Sequence, residues 1–87
     1  MTAERLGQIL PALRAWFAEA GYPLPEGITM TVRPIRMRGP QEYPTIGYWY
    51  RPKPGQPHRV IIAPHLSDHE AVATLIHELC HVATNSA

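Results

Sequence analysis

Apolar residues recur at helical spacing over the first twenty positions, where Leu6, Ile9, Leu10, Leu13, Trp16, Phe17 and Ala20 share one side of a 3.6-residue winding. Thr2 stands where an N-terminal cap is needed and Gly21 where a helix stops. Pro11 breaks the pattern: it removes a backbone bond, so it either kinks the helix or opens a shorter one near Leu10. Trp16 and Phe17 are both expected in the core, packing this helix on a sheet.

Two prolines and a glycine in Tyr22-Pro23-Leu24-Pro25-Glu26-Gly27 forbid regular structure, and beyond them the period changes to two. Ile28, Met30 and Val32 alternate with Thr29, Thr31 and Arg33 as in a half-buried strand, which Pro34 ends or confines to an edge. Residues 37 to 45, with Gly39, Pro40 and Pro44, read as a loop. A second strand follows, with Ile46, Tyr48 and Tyr50 on one face and Trp49 on the other. The run 51 to 57 is too rich in proline for a tight hairpin turn and reads as a longer connection. The third strand, from Arg59 to Ala63, is almost wholly apolar and should be covered on both faces. Last comes a helix that opens on a capping box, Ser67-Asp68-His69-Glu70, and carries Val72, Leu75, Ile76, Leu79 and Ala83 as one apolar stripe. Helix, three strands, helix predicts an α+β domain spanning residues 1–87, with a small, mostly antiparallel sheet under two helices.

Within the last helix, His77-Glu78-Leu79-Cys80-His81 fits H-E-x-x-H. At 100° per residue the two imidazoles point about 40° apart, close enough to share one metal ion, and they lie away from the apolar stripe, toward a groove. Glu78 leans out beside them, where a carboxylate can take a proton from water at the metal. Three fixed positions turn up by accident in about one chain in a hundred of this length, so the capped, amphipathic helix around them is what raises the match above coincidence. The competing interpretation is that His77 and His81 are ordinary solvated residues on an amphipathic helix.

The run Val60-Ile61-Ile62-Ala63-Pro64-His65-Leu66, the Ser67 cap and Ala73-Thr74-Leu75-Ile76-His77-Glu78-Leu79-Cys80-His81 together resemble the SprT-like zinc metallopeptidase domains. The resemblance covers about the last thirty residues and is only architectural before them, where it implies the N-terminal half of a zincin-like fold. It implies Zn2+ as the cofactor, His77 and His81 as zinc ligands, Glu78 as the general base, and a peptide or protein as the substrate. The family takes its third protein ligand from a segment shortly after the active-site helix, and this sequence has only Val82-Ala83-Thr84-Asn85-Ser86-Ala87 after His81. The expectation is therefore an incomplete site: a truncated chain, a fragment, or a chain that borrows a ligand from a partner subunit. His69 is about 12 Å back along the same helix and His65 is farther, so neither reaches, while His58 approaches only if strand order brings it there.

Composition narrows these readings without redirecting them. A chain of 87 residues is one small domain with thin stability, and at 45% hydrophobic with a net charge of +1 it is neither a typical disordered chain nor a membrane protein. No apolar run is long enough to span a bilayer, the N-terminus lacks the apolar core of a signal peptide, and a single cysteine fits a cytoplasmic location. Cys80 itself, at the edge of the packed stripe, reads as a small buried hydrophobe in preference to a ligand.

The charge is unevenly spread. Arg33, Arg36, Arg38, Arg51, Lys53 and Arg59 face one acid, Glu42, across the middle of the chain, interleaved with Tyr43, Tyr48, Trp49 and Tyr50. Such a stretch could track a phosphate backbone and stack nucleic-acid bases, but solvated arginines and sheet-packing aromatics are the preferred account, since six cations with no designated fold are a weak nucleic-acid signal. Two rivals to the peptidase follow: a non-catalytic module that binds nucleic acid or protein through residues 33–59, and a self-assembling fragment that completes its metal site across subunits.

Overall fold

Five elements follow one another in the computed structural model, which describes residues 1–35 and 45–85: helix α1 (Ala3–Glu19), strands β1 (Ile28–Val32), β2 (Gly47–Tyr50) and β3 (His58–Ile62), and helix α2 (Asp68–Thr84). The architecture is α+β, as the alternation of periods implies. The expected loop over residues 37 to 45, and with it Arg36, Arg38, Glu42 and Tyr43, lies outside the described residues except for Thr45.

α1 is capped by the Thr2 hydroxyl, which accepts the Arg5 amide at 3.2 Å, and it runs unbroken through Pro11. Pro11 removes the bond to the carbonyl of Gly7, one turn back, and both residues lie on the solvent side, where a lost backbone bond costs least. Gly21, at φ +91°, takes the left-handed position that turns the chain out of the helix. Arg14 then ties helix to connection, donating to the carbonyls of Pro25 at 2.7 Å and Glu26 at 2.9 Å. Only Phe17 of the expected aromatic pair enters the core. Trp16 is 55% exposed and meets Phe17 edge-on, because Leu6, Leu10, Leu13 and Phe17 complete the inward stripe and the next residue on the wheel falls outside it.

The sheet order is β1-β3-β2. β3 pairs in parallel with β1 and antiparallel with β2, so the sheet is mixed and not mostly antiparallel as the element order predicted. The antiparallel pair closes through Lys53-Pro54-Gly55-Gln56, where the Gln56 amide reaches the Lys53 carbonyl at 2.9 Å and Gly55 sits at φ +79°, the backbone of a type II turn with proline leading. Val60, Ile61 and Ile62 in the central strand are all buried, as expected of a strand covered on both faces. Val60 and Ile62 join Leu6, Phe17, Trp49, Leu66, Ala71, Leu75, Leu79 and Val82 in one core, which places both helices on that face of the sheet.

Ser67 and Glu70 form the reciprocal capping box in full, each side chain bonded to the other's amide at 3.2 Å. The inward face of α2 is Ala71, Thr74, Leu75, Glu78, Leu79 and Val82, with Val72, Ile76 and Ala83 only partly buried. The helix is thus rolled slightly from the orientation its apolar residues suggest. Two consequences follow: Cys80 is exposed instead of buried, and Glu78 turns inward instead of leaning out.

Candidate metal centre

His77, Glu78 and His81 occupy one turn of α2, and one donor atom from each lies within 4.8 Å of the others. Helical spacing alone accounts for the two imidazoles: residues four apart stand above one another on the same face. The rings sit with centroids 5.0 Å apart and planes nearly perpendicular. Neither is stacked into the apolar interior, since His77 is exposed and His81 half-buried. This group could hold a metal ion.

Glu78 is 6% exposed, an unusual degree of shielding for a carboxylate. Its cover is the backbone of β2. A β-carbon placed on Gly47 would stand 2.5 Å from Cγ2 of Thr74 and 3.2 Å from both Cγ and Oε1 of Glu78, so only glycine lets the strand come this close. No hydrogen bond to the Glu78 carboxylate is formed among the described residues. Burial pushes its carboxyl above the usual range, while the imidazoles of His77 and His81 pull in the opposite direction. A shielded carboxylate that accepts no hydrogen bond from the described residues is stabilised by a cation or by a proton, and the two imidazoles beside it supply nitrogen donors of the kind that suit a borderline-soft divalent ion. The donor set therefore fits a metal.

Trp49 orders the other side of the site. Its indole lies against the imidazole of His81, with centroids 5.8 Å apart and planes 12° from parallel. Its Nε1 donates to Nδ1 of His58 at 3.1 Å. Both that N–H and the accepting lone pair lie in their ring planes, so the two rings, 17° from coplanar, meet edge to edge instead of face to face. His58 is therefore held by the indole and stands apart from the His77, Glu78 and His81 group. His65 and His69 lie on the exposed turn and first helical turn that carry the cap, likewise outside the group.

Two hollows flank the group. Ile46, Gly47, Ala73, Thr74, His77 and Glu78 line one; Gly47, Tyr48, Trp49, Glu78 and His81 line the other. Gly47 and Glu78 belong to both, so the donors sit at the middle of a groove bounded by α2 on one side and β2 on the other. β2 is an edge strand, paired with β3 alone among the described residues. Gly47 and Trp49 as partners of the site were not evident from sequence. The signal for Gly47 is a lone glycine at the head of a strand pattern, which marks a close backbone approach, and the signal for Trp49 is its isolation on the face opposite Tyr48 and Tyr50.

In comparisons with protein-family models, curated proteins and solved structures, nothing matches this chain. No helix among the described residues is long and apolar enough to cross a membrane.

Proposed function

We propose that this chain carries the metal-binding core of a zinc-dependent peptidase of the SprT-like kind. The observation that supports this most is the groove itself: two imidazoles and a shielded carboxylate on one turn of α2, with donor atoms within 4.8 Å, facing the open edge of a β-strand. His77 and His81 would hold the ion. A catalytic zinc takes three protein ligands as a rule, and with Glu78 reserved as the base the third comes from outside this group, for which a second copy of the chain is one source. When bound, zinc supplies Lewis acidity, polarising both water and the carbonyl to be attacked.

The chain's own residues account for the remaining steps. The N–H and C=O groups of β2 that no described strand takes up would pair with an extended peptide main chain and lay it across the donor group. Glu78 takes the proton of the attacking water on a carboxylate oxygen and returns it to the departing amine nitrogen, so that the C–N bond breaks with no net change at the base. Gly47 and Thr74 keep bulk water from the back of that carboxylate.

The test is a pair of readouts on the purified chain and on an extended or assembled form with a third ligand. Glu78→Gln should retain zinc and lose cleavage of a peptide library, whereas His77→Ala and His81→Ala should lose the zinc itself. Cleavage by Glu78→Gln at the parent rate, or full zinc content in the histidine variants, would remove this assignment.

A further inference from the structure

The groove does not stop at His81. Tyr48, Trp49, Tyr50 and Arg51 line the next hollow, and these four are consecutive in sequence. Side chains alternate between the faces of a strand, so a hollow that touches all four lies along the strand's open edge. The hollow after that shares Tyr50 and Arg51 and adds Lys53 and Arg59. Neighbouring hollows thus share residues step by step along β2, from Ile46 beside the metal group to the β2–β3 hairpin, where Arg51 on the Trp49 face, Arg59 of β3 on the Tyr50 face and Lys53 line the last one.

Those cations are held in place, and no described carboxylate neutralises them. The Arg59 guanidinium lies 5.0 Å from the Tyr50 ring centre and that of Arg51 5.6 Å from the Trp49 ring centre, so aromatic faces fix where the charges sit. Among the described residues the one ion pair is between the N-terminal amine and Asp68, at the far end of the molecule's helices, and no carboxylate pairs with Arg51, Lys53 or Arg59.

We propose that this cationic end selects an extended peptide bearing acidic side chains on the N-terminal side of the bond to be cut. The inference rests on the peptidase reading and adds a substrate class to it. Spacing comes from the strand, and direction from antiparallel addition, the more stable pairing per residue. An added strand running antiparallel to β2 places its N-terminal half over Arg51 and its C-terminal half over Ile46. From Gly47 to Arg51 is about 13 Å of extended chain, so the charges meet side chains roughly three to four residues ahead of the reacting carbonyl. A peptide fits better than a nucleic acid strand. The β2 edge offers main-chain pairing along its length, and its cations gather at one end instead of following a backbone.

Binding and cleavage are measured separately. Glu78→Gln chain with zinc is titrated, by fluorescence anisotropy, into labelled extended peptides whose N-terminal half carries glutamate, glutamine or lysine, and into a single-stranded oligodeoxynucleotide. The glutamate peptide should bind roughly tenfold tighter than the glutamine one, and the lysine peptide weakest. Arg51→Glu, Arg59→Glu and, at the exposed turn where folding is least at risk, Lys53→Glu should each erase most of that preference while leaving the glutamine peptide unaffected. Moving the glutamates to the C-terminal half should abolish the gain. Equal binding of glutamate and glutamine peptides would overturn the proposal, as would an oligonucleotide that binds tighter and depends on the same arginines. Cleavage by the parent chain tells the two readings apart: charge-selective binding without Glu78-dependent cleavage sinks the peptidase and keeps the acidic-peptide site, whereas Glu78-dependent cleavage indifferent to charge does the reverse.

Discussion

The imidazole of His81 rests on the face of Trp49, 5.8 Å between centroids and 12° from parallel, while the same indole is pinned at its edge by His58. A ring held from two sides limits the rotation of whatever lies on it, and a metal ligand that is already oriented loses less freedom on binding. If the group holds zinc as proposed, Trp49 is a positioning residue for His81. Trp49→Phe keeps a face for the imidazole and should bind zinc nearly as the parent does. Trp49→Leu should weaken zinc by about tenfold in a competition titration against a chromophoric chelator. Equal affinities in the two variants would mean that the stack contributes nothing to the site.

Gly47→Ala forces a methyl group to within 2.5 Å of Thr74 and 3.2 Å of Glu78. The strand or the helix must give way, at a cost of about 1–3 kcal/mol in urea or thermal unfolding. Because the methyl group arrives against Oε1 of Glu78, the cleavage proposed for this site should fall by more than the loss of folded protein explains. Gly47→Ala with Thr74→Ser, which removes the closest atom, should recover stability.

His58 accepts the indole N–H on Nδ1, so its proton sits on Nε2, and nitrogen chemical shifts should report that tautomer near neutrality. Burial lowers the pKa of His58 below its ordinary value of 6.5. A group whose folded pKa is depressed takes its proton later in the folded state than in the unfolded one. As pH falls below about 6.5 the unfolded chain protonates first, and stability drops until the folded pKa is passed. His58→Gln should flatten stability over that window, and an unchanged slope would show that His58 is not its source.

The capping box predicts a second, more acidic dependence. Glu70 is held below the usual carboxylate range first by its bond with the Ser67 side chain, then by the Ser67 amide, with His65 and His69 adding smaller favourable charge interactions. The ionised carboxylate therefore stabilises the fold at every pH above the ordinary glutamate range, and the contribution is lost as pH falls through the depressed value. The stability difference between the parent and Glu70→Gln should be constant from neutrality down to mildly acidic pH, then close at lower pH. Helix content followed by circular dichroism would show it.

What could be read from sequence was local, and what could not was brought in from a distance. Ser67 and Glu70, Thr2 and Arg5, and His77 and His81 are each three or four residues apart, and helical geometry alone sets their relations. The continuous apolar run Val60-Ile61-Ile62 likewise announces a central strand. The inward turn of Glu78 was hidden because the Gly47 that makes room for it belongs to another element. Trp16 and Cys80 sit at the margins of their apolar stripes, where a helical wheel does not decide which side of the boundary a residue takes, and both proved exposed. The parallel pairing of β1 was equally hidden, since no turn signal records a partnership between strands that are not consecutive.

That last feature governs how the molecule comes into being. Among the described strands β3 comes last in sequence yet lies between the other two, so β1 and β2 lack the neighbour they share until residues 58–62 are available. A growing polypeptide emerging from the ribosome would hold α1 and two unpaired extended segments, and the sheet, the groove and the surface that receives α2 would then assemble almost together, in one late, cooperative event.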